Sequence, residues 1–399
     1  MNERNVNNKV FKNIPLKLYE PKWGSRLAKT IVELERLREK SLGGPVPPYI
    51  FFQLKNIFQI MESLGSARIE GNHTTLAELV EKIIEKIPKD TKQEKDREIF
   101  NIDRAIAFIE ENITEGVKIN RAHISEIHKI IVDGLTPPPD GEGSQTPGVY
   151  RSTSVSITNS SHKPPEPIII ADYMDELINF VNTSVDLHND LLITALSHHR
   201  MAWIHPFDNG NGRLIRMFTY ALLIKQGFQV KTGRILNPTA IFCMNRNKYY
   251  DMLSLADTGE EEKVLAWCEY VLAGLKDEIE KIDRLLDLKY MTTTILLPSL
   301  LFSLEREHIT KREYDILSVV VKSKDMSIKS SDLETIIGQE SSVQRSRIIK
   351  RLKDKDMLRT IPGKSRVYTI GFAKNYLLRG VFYVLEKNSF VPPSLNKND

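Results

Sequence analysis

Apolar side chains recur every three or four residues over most of the first 290 positions, and this spacing constrains the fold more than any other feature. The spacing places those side chains on one face of an α-helix, so the sequence predicts a mainly α protein. One helix is expected to start just after the glycines at 210–212 and to run to about residue 226. The other predicted helices cover residues 25–40, 49–65, 74–87, 94–112, 120–134, 172–185, 189–204, 245–256 and 260–288.

The segment 136–171 breaks the helical pattern. It is rich in Pro, Gly and Ser and contains short β-branched runs near Val155 and Ile169. Such a composition predicts a loop followed by a small β-hairpin.

The pattern changes again after residue 305. Short helices, a basic helix and a strand-turn-strand follow one another in the order of a winged helix-turn-helix. We therefore predict three domains: an N-terminal helical region at 1–92, a core domain at 93–290 and a winged helix-turn-helix domain at 300–399. The winged elements are expected at 310–322, 331–338, 341–357 (the recognition helix) and around the tip at 363–365.

The composition is that of an ordinary soluble protein, with 41% hydrophobic residues among 399. No apolar run is long enough for a membrane span and the N-terminus is polar, so we expect a cytoplasmic protein with no membrane partner. Cys243 and Cys268 lack metal-ligand spacing and are expected to be buried free thiols. His198 and His199 lack the further ligands of a zinc site and are expected to serve packing or hydrogen bonding.

Positive charge is concentrated near the C-terminus. Residues 341–380 contain eleven Lys or Arg against two Asp, which gives a segment charge of +9 and leaves −5 for the rest of a chain whose total is +4. This charge predicts contacts with the phosphates of duplex DNA. A solvated basic face, or a winged helix that contacts protein, remains open. The candidate DNA contacts are Arg345, Arg347, Lys350, Arg351, Lys364 and Arg366.

The stretch HPFDNGNGR at 205–213 contains the residues best suited to bind an anion and to transfer a proton. Gly210, Asn211 and Gly212 stand where a loop becomes a helix, so successive backbone N–H groups can point at one anion, which the helix dipole also favours. Arg213 and Arg216 follow within one turn and can add charge-assisted bonds to phosphate oxygens. His205 comes before this cradle and can serve as a general base. The pattern predicts a polyphosphate site.

This stretch, followed by LIR, closely resembles the HPFx(D/E)GNGRxxR motif of Fic-domain proteins, and GVYR at 148–151 and NRNKYYDML at 245–253 are similar to further family segments. The resemblance spans roughly residues 30–285 and implies a Fic-type helical bundle. It implies transfer of AMP from ATP to a Ser, Thr or Tyr hydroxyl of a target protein. His205 would then be the base and residues 210–212 the phosphate cradle. Arg213 and Arg216 would bind the ATP phosphates, and Phe207 would anchor the loop by packing.

The resemblance also assigns the predicted hairpin. It would be a flap around 161–170 that holds the target segment by strand-like pairing. The flap residues singled out are Ser161, His162 and Lys163, and His162 is expected to be exposed.

One position departs from the family motif. Asn209 stands where an Asp or Glu normally holds Mg²⁺, and Asp208 precedes it. Because Mg²⁺ prefers charged oxygen ligands, a neutral amide should hold it less firmly. Three interpretations stay open: weak coordination by Asn209, substitution by Asp208 through a water, or slow catalysis.

Upstream, SARIEG at 66–71 fits the (S/T)xxxE(G/N) inhibitory motif of regulated Fic proteins, with Ser66, Glu70 and Gly71 at its defined positions. Ser66 and Glu70 are four residues apart and share a helix face. By resemblance, Glu70 should reach Arg216 and occupy the place of the ATP γ-phosphate.

We therefore expect an autoinhibited adenylyltransferase that uses ATP and Mg²⁺ and carries a C-terminal winged helix. The alternative is a DNA-binding regulator whose Fic domain senses nucleotide with little transferase activity. A third possibility is transfer of another phosphate-containing group, or removal of AMP from a modified target. Relatives that self-associate suggest a homodimer.

Overall fold

The computed structural model describes residues 11–39, 46–88, 91, 93–157, 160–183, 187–228, 230, 234–333 and 342–396. Helices dominate these residues, which confirms the mainly α prediction, and most predicted helices form within two or three residues of their expected bounds. The helices up to residue 283 are α1 (Arg26–Glu39), α2 (Pro48–Glu70), α3 (Leu76–Ile84), α4 (Glu94–Asn112), α5 (Arg121–Val132), α6 (Ile170–Asn182), α7 (Leu187–Ile204), α8 (Asn211–Lys225), α9 (Thr239–Cys243), α10 (Arg246–Ala256) and α11 (Glu261–Asp283).

The chain divides into two compact units. The first consists of residues 1–41, 62–73 and 89–279, and the second of 42–61, 74–88 and 280–399. This division differs from a domain boundary at residue 92, because residues 62–73 group with the first unit and residues 74–88 with the second. Helix α2 contributes residues to both units.

The first unit is built around α8. Nearly every residue of α8 is buried, including Arg213 and Arg216, and the helix packs against α4, α5 and α7. Trp203 and Trp267 are also fully buried, and the Trp267 indole N–H donates to the Ala195 carbonyl at 2.7 Å. Both cysteines are buried and free, as predicted.

In the second unit, a π-helix (Met291–Leu296) leads into α12 (Leu297–Glu305), which packs against α15 (Leu377–Lys387) and α13 (Lys311–Lys322). Three short antiparallel strands form one sheet in the order β1-β3-β2, with Ser327 opposite Thr369 and Leu358 opposite Ile370. The strands are β1 (Ser327–Lys329), β2 (Leu358–Thr360) and β3 (Val367–Ile370), and the basic helix is α14 (Ser342–Asp354).

This order agrees with a winged helix-turn-helix, although the predicted helix at 331–338 lies mostly outside the described residues. The winged assignment therefore stays a prediction. Among the described residues, no single helix is long and apolar enough to cross a membrane. One bent pair, Glu261–Leu286 with Leu288–Glu305, passes that test by length and composition alone.

Candidate active site

His205 lies in a strained turn directly after α7. Its φ is +51°, in the left-handed region that residues other than glycine rarely adopt. Its N–H still donates to the Met201 carbonyl at 3.0 Å, as in a helix, and Pro206 follows. Arg151 binds the carbonyl groups of this turn: its Nε donates to the His205 carbonyl at 2.8 Å, and its backbone N–H donates to the Pro206 carbonyl at 2.9 Å. Strain maintained by surrounding bonds is common at functional sites.

The His205 imidazole is suited to accept a proton. Burial, and to a smaller extent the charge of Arg151, lower its pKa to about 4 against the opposing effects of the Ala202 backbone and Glu70. The ring is therefore neutral at neutral pH. A neutral imidazole at the wall of a cavity can act as a general base.

The glycine loop forms the predicted helix N-terminus, but its three residues have different tasks. Gly210 has a φ of +74° and is the N-cap residue directly before α8. The Asn211 side chain accepts from the Phe207 N–H at 3.0 Å and donates to the Phe207 carbonyl at 2.9 Å, so it closes the loop instead of reaching a ligand. Gly212 lines the cavity, and a Cβ there would lie 2.1 Å from a Glu70 carboxylate oxygen. Only glycine lets an anion approach the backbone this closely.

Arg216 and the SARIEG segment bind each other directly. The Arg216 Nε donates to the Ser66 hydroxyl at 2.9 Å, and its Nη2 donates to the Ser66 carbonyl at 2.9 Å and to Glu70 Oε1 at 2.7 Å. Burial alone would raise the pKa of Glu70, but the charge and hydrogen bond of Arg216, with the charges of Arg213 and Arg246, lower it overall. Glu70 is thus a carboxylate bound to the second arginine of the motif.

Gly71 directly follows the C-terminal end of α2. Its φ is +108°, its N–H donates to the Arg68 carbonyl, and the Asn72 N–H donates to the Ala67 carbonyl, each at 3.1 Å. This is a Schellman motif, which requires a left-handed residue and so favours Gly or Asn. The Asn72 side chain then donates to Glu98 Oε2 at 2.7 Å and to the Lys95 carbonyl at 2.8 Å. The C-terminal end of α2 is therefore anchored on α4.

Arg213 has a different environment from Arg216. Its side chain is completely buried, with Nη1 3.1 Å from Glu98 Oε1. Its Nη2 donates to the Glu142 carbonyl at 2.5 Å and lies 3.4 Å from the Glu142 carboxylate. Its predicted phosphate contact stays a prediction, because in this structure two glutamates occupy its guanidinium.

Of the two candidate metal ligands, Asp208 already has hydrogen-bond partners. The Asp208 carboxylate accepts from the Ser144 hydroxyl at 2.5 Å, the Gln145 N–H at 2.7 Å and the Asn209 N–H at 3.0 Å. Asn209, Asp208 and Glu142 all line the cavity. Within the described ranges, no group of three or more His, Cys, Asp or Glu is arranged to hold a metal ion.

The predicted hairpin is not seen among the described residues. Between residues 150 and 171, of which 158 and 159 lie outside the described residues, no β-strand occurs, and His162 makes only an isolated bridge. Pro164, Pro165 and Pro167 cannot donate to a ladder. Arg151 holds the loop instead, since its guanidinium donates to the Thr153 carbonyl at 2.9 Å and the Pro165 carbonyl at 2.7 Å.

The expectation of an exposed His162 is also wrong. The side chain is buried, and its Nε2 donates to the Trp203 carbonyl at 2.8 Å. The imidazole stacks on the Trp203 ring, with a centroid distance of 5.4 Å. Ser161 is exposed, and Lys163 pairs with Glu166 at 2.7 Å. Burial against an aromatic ring, which loop composition does not reveal, fixes His162.

These elements surround one cavity of about 440 Å³. His205, Gly212, Glu70 and Arg216 share it with residues of the NRNKYYDML segment. The segment contributes Arg246, Tyr249, Tyr250 and Leu253 to the lining, and the loop contributes Val155, Ser156, Ile157 and Ser160.

His198 and His199 have structural partners. His198 is fully buried, with Nδ1 2.7 Å from the Thr219 hydroxyl and Nε2 2.8 Å from the Tyr249 hydroxyl. His199 Nε2 lies 2.9 Å from Asp257 Oδ1. These contacts agree with the expected hydrogen-bonding role.

Four polar residues that fix the geometry of the site were not predicted from the sequence. Arg151 binds the His205 turn, Glu98 and Asn72 connect α4 with Arg213 and with the end of α2, and His128 contacts the glycine loop. Arg151 belongs to the GVYR segment, which the family resemblance singled out without a role. The other three carry no local signal, because their partners are distant in sequence.

The basic helix of the second unit borders its own cavity, of about 900 Å³. Three predicted DNA contacts line it: Arg345, Lys350 and Arg366. Lys329 and Lys353 also line it and were not predicted. The other three predicted residues do not line the cavity. Arg347 and Lys364 are exposed, and Arg351 lies 3.7 Å from Glu313 with its side chain 65% exposed.

Comparisons with known proteins agree with the geometry. Residues 118–223 match the model of the Fic/DOC family. Proteins named protein adenylyltransferase Fic from Drosophila virilis and Drosophila melanogaster are each 30% identical over 198 residues, which is 49% of this chain and 37% of theirs. The chain thus spans little more than a third of the length of these curated relatives.

Solved structures show the same fold. A Fic family protein from Desulfovibrio desulfuricans superposes with a TM-score of 0.51 at 17% identity, over 88% of this chain and 98% of that chain. A Fic domain containing signaling protein from Bacteroides thetaiotaomicron gives 0.51 at 17% identity, over 66% of this chain and 98% of that chain.

Proposed function

The chain carries a Fic domain, and on this premise we propose that it is an autoinhibited protein adenylyltransferase that moves AMP from ATP to a Ser, Thr or Tyr hydroxyl of a target protein. One observation carries the proposal. A neutral His205, the N-terminus of α8 at Gly212 and the Arg216 guanidinium share a single cavity, and a carboxylate from the inhibitory helix is bound to that guanidinium. The named Drosophila relatives support the reaction class.

In this reaction His205 takes the proton from the attacking hydroxyl. The hydroxyl oxygen forms a bond to the α-phosphorus of ATP, the bond from that phosphorus to the bridging oxygen breaks, and pyrophosphate leaves. The pKa of about 4 keeps the imidazole free to accept the proton at neutral pH. The target hydroxyl would enter beside Val155–Ile157 and Ser160, the loop residues that line the cavity.

The phosphates would be held by the start of α8. Backbone N–H groups at a helix N-terminus favour negative charge, and Gly212 lets an oxygen approach them closely. Arg216 is poised to add charge-assisted bonds once Glu70 leaves. Arg246, which lines the cavity and lowers the pKa of Glu70, adds a further positive charge.

The cavity also fits Mg²⁺, because the available ligands there are oxygens. Asn209, Asp208 and Glu142 would hold the ion, and a carboxylate thereby compensates for the neutral amide of Asn209. When bound, Mg²⁺ supplies positive charge to the ATP phosphates.

Glu70 is the brake in this proposal. It takes the Arg216 guanidinium that a phosphate would use, and it approaches the Gly212 backbone where an anion would lie. The contact is also geometrically secure, since Ser66 on the preceding turn binds the same guanidinium twice. ATP would bind productively only when the end of α2 moves.

The proposal is tested by incubating wild type, Glu70→Gly and Glu70→Gly/His205→Ala with ATP labelled at the α-phosphate, with and without Mg²⁺. Glu111→Gly is the matched control, because Glu111 is an exposed glutamate near the end of α4. We expect Glu70→Gly to raise labelling roughly 10- to 100-fold, the value of a charged hydrogen bond of about 1.5–3 kcal/mol. The double mutant and the control should stay at the wild-type level or below.

Equal labelling of wild type and Glu70→Gly would contradict the brake. Absence of label from every variant would contradict adenylyl transfer and favour a nucleotide sensor. If wild type, but not Glu70→Gly, released the label from a target that already carries labelled AMP, removal of AMP would be favoured. Label from γ-labelled ATP would indicate transfer of another group.

A second function is supported by the basic cavity of the second unit. Arg345, Lys350 and Arg366 line it, and Lys329 and Lys353 add two more positive charges against the single acid Asp354. We propose that this surface binds duplex DNA through its phosphates. DNA binding is compatible with transfer activity, or with a regulator that only senses nucleotide.

Fluorescence anisotropy of a labelled duplex with the full chain tests this function. The variant Arg345→Ala/Lys350→Ala/Arg366→Ala should lose affinity. The control Lys311→Ala/Lys374→Ala/Lys387→Ala removes the same charge elsewhere in the second unit and should retain it. No binding by the wild type at low salt, or equal loss in both variants, would contradict the assignment.

A further inference from the structure

His128 lies against the motif loop without being part of the motif. It is on α5, its side chain is 0% exposed, and its ring stacks on Phe207 with a centroid distance of 3.8 Å and an angle of 8°. Both ring nitrogens are bonded: Nδ1 to the Gly148 N–H at 2.8 Å and Nε2 to the Asn209 carbonyl at 3.0 Å. The histidine thus joins two loops that border the cavity.

The two partners determine the tautomer. A backbone N–H can only donate, so Nδ1 must accept from Gly148. A carbonyl can only accept, so Nε2 must carry the hydrogen and donate to Asn209. Each bond therefore depends on a different ring nitrogen.

The Asn209 carbonyl is next to the residue that most needs restraint. Gly210 has a φ of +74°, and glycine populates positive and negative φ almost equally, so the 209–210 peptide can flip at little intrinsic cost. In a trans peptide the N–H points opposite to the carbonyl. A flip would turn a carbonyl oxygen to the side where the N–H had been, and that oxygen would repel a phosphate.

A bulkier residue could not supply the restraint in place of a hydrogen bond. A Cβ at position 210 would lie 2.8 Å from a Val132 methyl group and 3.5 Å from His128 Nε2. The loop therefore needs a glycine for space and an external partner for orientation.

We propose that His128 is a positioning residue of the phosphate site, which fixes the 209–210 peptide by donating from Nε2 to the Asn209 carbonyl. The inference rests on the proposed function, because it assumes that the phosphates of ATP bind at this loop. His128 itself does not touch the nucleotide. Its effect is on how the glycine loop presents its backbone.

Three substitutions separate the two hydrogen bonds from packing, all made in the Glu70→Gly background. His128→Phe keeps a flat ring against Phe207 and loses both bonds. His128→Gln can place an amide N–H near the Nε2 position and so restore the bond to Asn209. His128→Asn can place an oxygen near the Nδ1 position and restore only the bond to Gly148.

The readout is binding of ATP and of adenosine by calorimetry, with melting temperatures measured in parallel. We expect the ATP Kd to rise roughly tenfold in the Phe and Asn variants, which corresponds to a loss of about 1.4 kcal/mol of binding free energy. The Gln variant should stay within about threefold of the parent. Adenosine, which lacks phosphates, should bind all variants alike.

Equal weakening of ATP and adenosine, or a Gln variant as weak as Phe, would overturn the proposal in favour of packing alone. A Glu70→Gly parent that binds ATP without transferring AMP would remove the proposed function and leave this test intact. A parent that binds neither ATP nor pyrophosphate would overturn the phosphate site itself.

Discussion

The start of α8 and the basic helix α14 are both positively charged, but the arginines of α8 are buried and paired whereas the cations of α14 are exposed. Arg213 and Arg216 are 0% and 1% exposed, and each is bound to carboxylates. On α14, Lys350 and Arg351 are exposed. Buried arginines with fixed partners form a pre-organised site whose ligand must replace those partners. Exposed cations attract polyanions through charge alone, and salt screens that attraction.

The contrast predicts that the first site depends on single residues and the second on summed charge. At the first site, one exchange of carboxylate for phosphate decides occupancy. At the second, each cation should contribute a similar and replaceable share.

His205→Ala should have the largest effect. In the Glu70→Gly background we expect AMP transfer to fall roughly 10²- to 10⁴-fold, the usual contribution of a general base. Incorporation of label from α-labelled ATP measures the rate. The ATP Kd, measured by calorimetry, should change little, and a parallel loss of ATP binding would show that His205 holds nucleotide instead of a proton.

Salt should separate the two regions. Between 50 and 200 mM salt, duplex DNA affinity should fall roughly 10³-fold if about six phosphates are contacted. The ATP Kd of Glu70→Gly should change far less, because its charges are buried. Anisotropy and calorimetry on the same protein measure both, and a shallow DNA slope would indicate that most of the predicted cations do not touch phosphate.

Asn72→Ala should release the brake in part. The Asn72 side chain anchors the end of α2 on Glu98 and Lys95, and loss of one net hydrogen bond of about 1–1.5 kcal/mol should raise labelling roughly 5- to 10-fold. Asn112→Ala, at the exposed end of α4, is the control, since its side chain bonds only within its own helix. Unchanged labelling in Asn72→Ala would confine the brake to Ser66 and Glu70.

The pH profile should show the smallest change. A histidine with the usual pKa of about 6.5 would lose roughly fourfold in neutral fraction between pH 7.5 and 6.0. Because the pKa of His205 is lowered to about 4, the base stays neutral across this interval and is lost only as pH falls through about 4. Single-turnover labelling of Glu70→Gly at saturating ATP should therefore be nearly flat from pH 7.5 to 6.0. A fourfold decline, with the ATP Kd constant, would contradict the lowered pKa.

Much of the helical framework could be predicted because burial repeats with the helical period. Helix α4 occupies 94–112, as expected, and α8 starts one residue before the last glycine of the loop. The prediction failed at the loop 150–171, where β-branched residues suggested strands. Three prolines there lack a backbone N–H. The Arg151 guanidinium, and not a neighbouring strand, donates hydrogen bonds to two carbonyls of the loop.

The candidate site divides in the same way. The pairing of Arg216 with Glu70 was expected only from the resemblance of HPFDNGNGR and SARIEG to the family motifs, and the structure has this contact. Arg213 could not be assigned by the same means. Its partners Glu98 and Glu142 lie 115 and 71 residues away, and nothing in the local sequence marks them.

Spacing and local stereochemistry account for most of the helices and for the glycine turn at 210–212, and the local order of residues at 205–216 already resembles the motif of the Fic family. Each of these depends on the spacing or stereochemistry of residues close in the chain. Tertiary structure alone decided that His162 is buried on Trp203, that Arg151 holds the His205 turn, and that His128 binds the Asn209 carbonyl. These contacts join residues far apart in sequence, and a buried polar group takes whichever partner the packing of the helices brings within reach.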